Sequence, residues 1–349
     1  METNKIEKEV YLKKINDKLS LQKISSGTIT QKLNNIEKLS HKILIDFKLI
    51  YRGLKKVLLK RGNKKKNVES YFENLNKAFK KRVQLSKLKY TDFDELDHEG
   101  NEPSVISKDV YKRELFKLQV ELLKLQEWLT KTNKTVIILF EGRDGAGKGS
   151  TIKKFVEHMN PKGFKIIALG VPTQEEKNNW WNRYGSQIEN NKINLFDRSW
   201  YNRGIVEPVM GYCTEKEYTE FMNGVEEFEN NLTKNGDFLF KLWFSIDKDT
   251  QEKRFEIRKK SPLKYWKYSQ NDSKVQELWD RFTMYKEKVF NKTSTENNPW
   301  VLLDSNDKKI SGLNAIRYVL QNIPYENKDY EVLDKEYPEA IIVLKPESA

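Results

Sequence analysis

Thr135–His158 reads TVIILFEGRDGAGKGSTIKKFVEH, and the period of its apolar residues changes halfway along. Thr135–Phe140 is a run of β-branched and apolar residues, which predicts a strand buried on both faces. Further on, Ile152, Phe155, Val156 and Met159 recur at the spacing of one helical face, with Ser150 as the expected cap. Between strand and helix, Gly142–Lys148 fits GxxxxGK, the P-loop pattern, in the context the motif requires. Gly145, Ala146, Gly147, Gly149 and Ser150 can then bring backbone N–H groups to phosphate oxygens, while the helix dipole and Lys148 add positive potential. A glycine-rich turn with a solvated lysine explains neither the spacing nor the preceding strand.

Two departures from the usual loop carry information. Residue 149 is Gly, not the Ser or Thr whose hydroxyl touches magnesium, so a metal needs another ligand. Asp144 lies inside the loop, where a carboxylate repels a polyanion unless a metal or an arginine intervenes. It is a candidate metal ligand or organiser of the acceptor, with capping of the turn as the plainer alternative. Ile193–Asp197, INLFD, is an apolar stretch ending in an aspartate, the position of a second magnesium anchor in P-loop proteins. Asp144 and Asp197 are therefore the candidate metal ligands. The following residues, DRSWYNRG, bring Arg198, Asn202 and Arg203 close to that anchor. Two arginines there suit several anionic oxygens, although one of them could serve a buried ion pair. Glu207 is a further ligand or an arginine partner.

The remaining chain sets the frame. Charged residues make up 33% and the formal net charge is +13, so a polyanionic partner is expected: nucleic acid, acidic membrane or a polyphosphorylated substrate. A single cysteine, Cys213, excludes an internal disulfide and a cysteine metal cluster; a buried, inert role is expected for it. There is no apolar leader and no run long enough to span a bilayer, so a soluble, cytoplasmic protein with no membrane partner is expected. Residues 1–88 read as a basic helical extension and 89–106 as an acidic linker. A P-loop domain follows over 107–325, beginning with a helix capped by Ser107 or Asp109 and running to about Thr130. Residues 326–349 read as a C-terminal tail. Further strands are expected at Phe164–Leu169, Ile193–Phe196, Phe238–Ile246 and Trp300–Leu303, separated by helices. The expected fold is α/β: a three-layer P-loop sandwich around a five-stranded parallel sheet, with a helical lid over about 251–274. That segment carries Arg254, Arg258, Lys264 and Lys267, and lids of phosphotransfer enzymes supply arginines to the transferred group.

Taken in order, LQVELLKLQEW, FEGRDGAGKGSTIK, PTQEE, FDRSWYNRGIVEPVMGYCT, RFEIRKKSPLKYWKYS and WVLLDSND resemble the polyphosphate kinase 2 family from about Tyr111 to Leu320. The resemblance implies reversible, in-line phosphoryl transfer between inorganic polyphosphate and nucleoside diphosphates, with magnesium or manganese, by a homo-oligomer, dimer or tetramer. It assigns catalytic roles to Asp144, Lys148, Asp197, Arg198, Asn202, Arg203, Arg258 and Asp272. The chain departs from the family pattern at Ser261, where an aspartate usually precedes the lid proline, at GAGKGS in place of AAGKGG, and in its long basic extension. Lys153, Lys154, Lys162 and Lys165 could continue a basic track for the polyphosphate chain beyond the loop. The rival readings are an ATP-dependent nucleotide or nucleoside kinase and a nucleic-acid-binding P-loop protein. The second has only net charge and the lysine-rich extension behind it, since no nucleic-acid-binding motif is present, so no nucleic-acid partner is expected. Pro172–Tyr184 and Asn202 are places where base choice could be made.

Overall fold

The computed structural model describes residues 104–261, 271–335 and 337–346, without the side chains of 271–273. The expected extension 1–88, most of the linker, Lys264, Lys267 and the side chain of Asp272 lie outside the described residues. The strands are β1 Val136–Gly142, β2 Phe164–Ile167, β3 Ile193–Asp197, β4 Phe238–Ser245, β5 Trp300–Asp304 and β6 Ile341–Val343. The helices are α1 Lys108–Thr132, α2 Lys148–Val156, α3 Gln174–Asn178, α4 Trp180–Gly185, α5 Val206–Met210, α6 Glu215–Thr233, α7 Lys248–Lys260, α8 Asn271–Glu277, α9 Trp279–Thr293, α10 Lys308–Gln321 and α11 Tyr330–Leu333.

Among the described residues the strands form one sheet of six, in the order β2-β3-β1-β4-β5-β6. The first five are parallel and β6 is antiparallel to β5. This corrects the expected count of five and the expected all-parallel sheet. The sixth strand is only IIV, too short to show a period, and lies within what reads in sequence as a tail. It is docked from afar: Glu114 on α1 accepts from Tyr337 Oη and Arg317 Nη2 and pairs with Lys335. Val332 and Leu333 of α11 join the core as well.

Alternation along β1 assigns its side chains to two cores. Val136, Ile138 and Phe140 pack with Leu118, Leu122 and Leu125 of α1, Ile152 of α2 and Leu313 and Ile316 of α10. Ile137 and Leu139 pack on the opposite face with Trp200, Tyr201, Val225 of α6 and Val289 of α9. Helices thus cover both faces of the sheet, which is why β1 is apolar from Val136 to Phe140. Each fully buried leucine of α1 contributes about 1.5–3 kcal/mol against exposure, and Ser107 caps that helix by accepting from Val110 N.

The second core also holds a buried ion pair. Lys241 in β4 is completely buried and donates to Glu229 Oε2 at 2.8 Å and to the Thr293 carbonyl at 2.6 Å. Trp200 Nε1 donates to the other Glu229 oxygen. Removing one partner strands the other charge, so Glu229→Ala is expected to lower stability by about 3–5 kcal/mol, read as a fall in the urea midpoint at unchanged slope. A loss of only about 0–1 kcal/mol, as for a surface pair, would contradict the burial of this pair.

Candidate active site

β3 and β4 flank β1 on opposite sides, and the crevice beyond their carboxyl ends is where open α/β sheets bind ligands. Register aligns Phe140 with Asp197 and Gly142 with Phe244. At Gly142, φ is +134° and a Cβ would come within 2.3 Å of the Phe244 carbonyl oxygen. Only glycine lets the chain leave β1 here. Helix α2 begins at Lys148 with Gly147 as its cap, at φ +101°. Ser150 is therefore not the cap: it lies inside the first turn and donates to the Gly147 carbonyl.

Three side chains from two other elements, α7 and the turn after β5, hold the loop by its carbonyl oxygens. Gln251 Nε2 of α7 donates to the Asp144 carbonyl at 2.7 Å, Arg254 Nη1 to Gly145 at 3.1 Å, and Ser305 Oγ to Ala146 at 2.5 Å. Arg254 also donates to the Asn306 carbonyl and is buried. It was expected among the lid groups, but its guanidinium is a brace under the P-loop. With these carbonyl dipoles tied back, the loop keeps the polarity that an anion nest needs.

The charged groups converge above the loop. Lys148 Nζ donates to the carbonyls of Gly142 (2.8 Å) and Arg143 (3.1 Å) and lies 4.0 Å from Asp144 Oδ1. Arg198 Nη2 meets the same Asp144 oxygen at 2.5 Å. Burial alone would raise the Asp144 pKa, but Arg198, Lys148 and Arg258 together outweigh it and hold it at about 2. Asp144 in turn drives the Arg198 pKa up. Asp197 faces α2, its Oδ2 3.7 Å from the Cβ position on Gly149, and it acts electrostatically on both Lys148 and Arg198. The loop and the β3 end thus bring together Asp144, Lys148, Asp197 and Arg198, with Arg258 close enough to act on Asp144.

The turn after β3 is rigid. Arg198 adopts a left-handed backbone, φ +67°, held by its N–H on the Phe140 carbonyl and by the burial of Trp200 and Tyr201. Ser199 donates from N (2.6 Å) and Oγ (2.8 Å) to Glu141 Oε1. Burial pushes the Glu141 carboxyl up, against Ser199, Lys148 and Arg198. Sequence reasoning missed Glu141, although an acid at the end of an otherwise apolar strand is a signal.

Other expected residues have protein partners of their own or lie apart from this cluster. Arg203 is buried, bonded to Glu207 at 2.7 Å, 3.6 Å from Glu217 and stacked 3.9 Å from the Trp180 ring centroid. It is the arginine in a buried ion pair, and Glu207 is its partner. Asn202 Nδ2 donates to Tyr184 Oη. Cys213 is half-buried, and burial raises its thiol to about 11. Lys165 pairs with Glu189, and Lys153 and Lys162 are exposed. Lys154 instead shares a groove with Lys108 and Lys112 of α1 and Lys308 and Lys309 of α10, beside Ser150 and Thr151. These five lysines come from three helices distant in sequence, and only the fold brings them together.

Among the described residues no group of three or more His, Cys, Asp or Glu side chains is placed to hold a metal. Magnesium needs less from a protein, because it takes one or two carboxylates and fills its shell with phosphate oxygens and water. Asp144 and Asp197, hard oxygen donors flanking one lysine, fit that demand. No described helix is long and apolar enough to cross a membrane.

Comparison with known proteins identifies a family. The family model described as polyphosphate kinase 2 matches residues 105–331. A GDP-polyphosphate phosphotransferase of Mycolicibacterium smegmatis is 46% identical over 65% of this chain and 81% of its own. An ADP-polyphosphate phosphotransferase of Pseudomonas aeruginosa is 44% identical over 64% of this chain and 74% of its own. The crystal structure of polyphosphate kinase 2 from Arthrobacter aurescens TC1 superposes with a TM-score of 0.55 at 27% identity, covering 67% of this chain and 87% of that one. A match of this extent, over a sheet that ends in the Asp144, Lys148, Asp197 and Arg198 cluster, means that the chain belongs to the polyphosphate kinase 2 family.

Proposed function

We propose that this protein transfers a phosphoryl group reversibly between inorganic polyphosphate and a nucleoside diphosphate. The observation that carries this reading is the meeting of Lys148, Arg198 and Arg258 around Asp144, with a separate groove bearing five lysines beside α2. An acceptor β-phosphate oxygen is already ionised at neutral pH, so no strong base is required. It attacks the terminal phosphorus of the polyphosphate in line, and the bridging P–O bond breaks to release a chain one unit shorter.

The obstacle is charge. Two unit charges at 4 Å repel by about 1 kcal/mol in bulk water and by more in a shielded site, and both substrates carry several. Lys148 and the loop amides hold the terminal phosphates, while Arg198 and Arg258 neutralise the transferring group. Asp144 sets where Arg198 sits. Asp144 and Asp197 would hold magnesium, or manganese, which would supply further neutralisation of the phosphate charge. Asn202 and Asp272 are assigned to the site by the family resemblance, and the segment 251–274 acts as the lid. The groove of Lys108, Lys112, Lys154, Lys308 and Lys309 carries the rest of the chain. A homo-oligomeric assembly is part of the same reading.

Incubation with ADP or GDP, magnesium and polyphosphate is expected to yield ATP or GTP. Asp197→Asn should abolish this without changing the circular dichroism spectrum, and retained turnover would remove Asp197 from the reaction. For the groove, Lys108→Glu combined with Lys112→Glu should raise KM for long polyphosphate about tenfold, more than for tripolyphosphate, and flatten its dependence on salt. Equal effects on both lengths would leave the chain bound elsewhere.

A further inference from the structure

The carbonyls of Asp144, Gly145 and Ala146 in the P-loop are held from α7 and the turn after β5. Arg143, where the chain leaves β1, is held from a different element, and by its own side chain. Its guanidinium is buried and lies 3.7 Å from the Trp279 ring centroid. Nη2 donates to the Trp279 carbonyl at 3.0 Å and to Thr283 Oγ1 at 2.7 Å, and that hydroxyl in turn donates to the same carbonyl at 3.1 Å. All of these contacts lie in the first turn or so of α9. The helix is a firm anchor, since Phe282, Tyr285, Val289 and Phe290 are buried in the second core and Arg281 Nη2 donates to the Pro208 carbonyl at 2.9 Å.

The main chain of Arg143 meets the chemistry. Its carbonyl accepts from Lys148 Nζ at 3.1 Å, beside the Gly142 carbonyl at 2.8 Å. One residue therefore links the ammonium group of the P-loop to α9. A buried guanidinium is a poor device for stability alone. Burial, offset in part by Asp280, pulls its pKa down to about 10, so it stays charged at neutral pH. Neither acceptor of Nη2 is a carboxylate, and replacing buried ionic groups by apolar side chains of similar size often leaves stability unchanged or improves it. What an apolar side chain cannot supply is direction, which the rigid fork of a guanidinium fixes along with distance.

We propose that Arg143 is a positioning residue that acts through Lys148: tied to α9, it sets the carbonyl that aims the ammonium group at the terminal phosphate. The proposal rests on the polyphosphate reading and adds to it a residue that does not itself meet substrate. Precision matters here, because a displacement of about 1 Å can cost on the order of a hundredfold in rate.

The test is Arg143→Met, which keeps the bulk and removes the fork. In polyphosphate-dependent ATP formation, kcat is expected to fall about ten- to a hundredfold with KM for ADP and for polyphosphate nearly unchanged, while the urea midpoint stays level or rises. Thr283→Val cuts one strand of the same tether, so it should lower kcat by less and add little to Arg143→Met when the two are combined. An unchanged kcat in Arg143→Met overturns the proposal, as does a raised KM for ADP with kcat preserved, which would make the arginine a binding residue. Losses that multiply in the double variant also overturn it, because the arginine would then act by a route other than Thr283. Should Arg143→Met fail to fold, Thr283→Val decides alone: a lower kcat at an unchanged urea midpoint supports the tether, and an unchanged kcat overturns it. Absence of any ATP formation by the wild-type chain would instead remove the polyphosphate reading, and the role of Arg143 in it falls at the same time.

Discussion

The ion pair between Asp144 and Arg198 joins the two halves of the site. One partner comes from the loop after β1, the other from the turn after β3, and they meet at 2.5 Å. A carboxylate inside a phosphate-binding loop is unfavourable for the anion that the loop is built to hold. Arg198 resolves this, since it cancels the Asp144 charge and remains 41% exposed in its side chain, within reach of a substrate. Its left-handed backbone carries a cost of about 1–3 kcal/mol. The buried Trp200 and Tyr201 and the Ser199–Glu141 hydrogen bonds hold that conformation. Much of the DRSWYNRG stretch is thus anchoring that fixes one arginine.

This division of labour explains which residues were legible in the sequence. Periodicity exposed β1 and the body of α2, because their apolar spacing follows directly from a strand buried on both faces and a helix buried on one. Asp197 was legible because strand-end carboxylates have a position as well as a chemistry. Arginines were harder. Arg203 and Arg254 lie in the same motifs as Arg198 and Arg258, but their partners, Glu207 and the Gly145 carbonyl, become visible only when the chain is folded. Charge pattern alone does not separate an arginine that braces from one that waits for substrate. Glu141 was hidden for a similar reason, since its partner Ser199 lies on a neighbouring strand's turn.

The same limit applies to long-range pairing. β6 is three residues long, and its docking depends on Glu114, more than two hundred residues earlier. The basic groove is assembled from α1, α2 and α10 in the same way, so a lysine count predicts a polyanion without locating it. These features give the site a common logic: Lys148 on α2, Arg198 on the turn after β3 and Arg258 on α7 gather around Asp144 of the P-loop. Two polyanions can approach there because each is met by fixed positive charge.

The most direct measurement of this account is a double-mutant cycle on kcat/KM for polyphosphate-dependent ATP formation, using Asp144→Asn and Arg198→Met singly and together. If the two side chains work as one unit, each single change causes a large loss and the second adds little to the first. Losses that simply multiply would show that Asp144 and Arg198 act independently, contradicting the account.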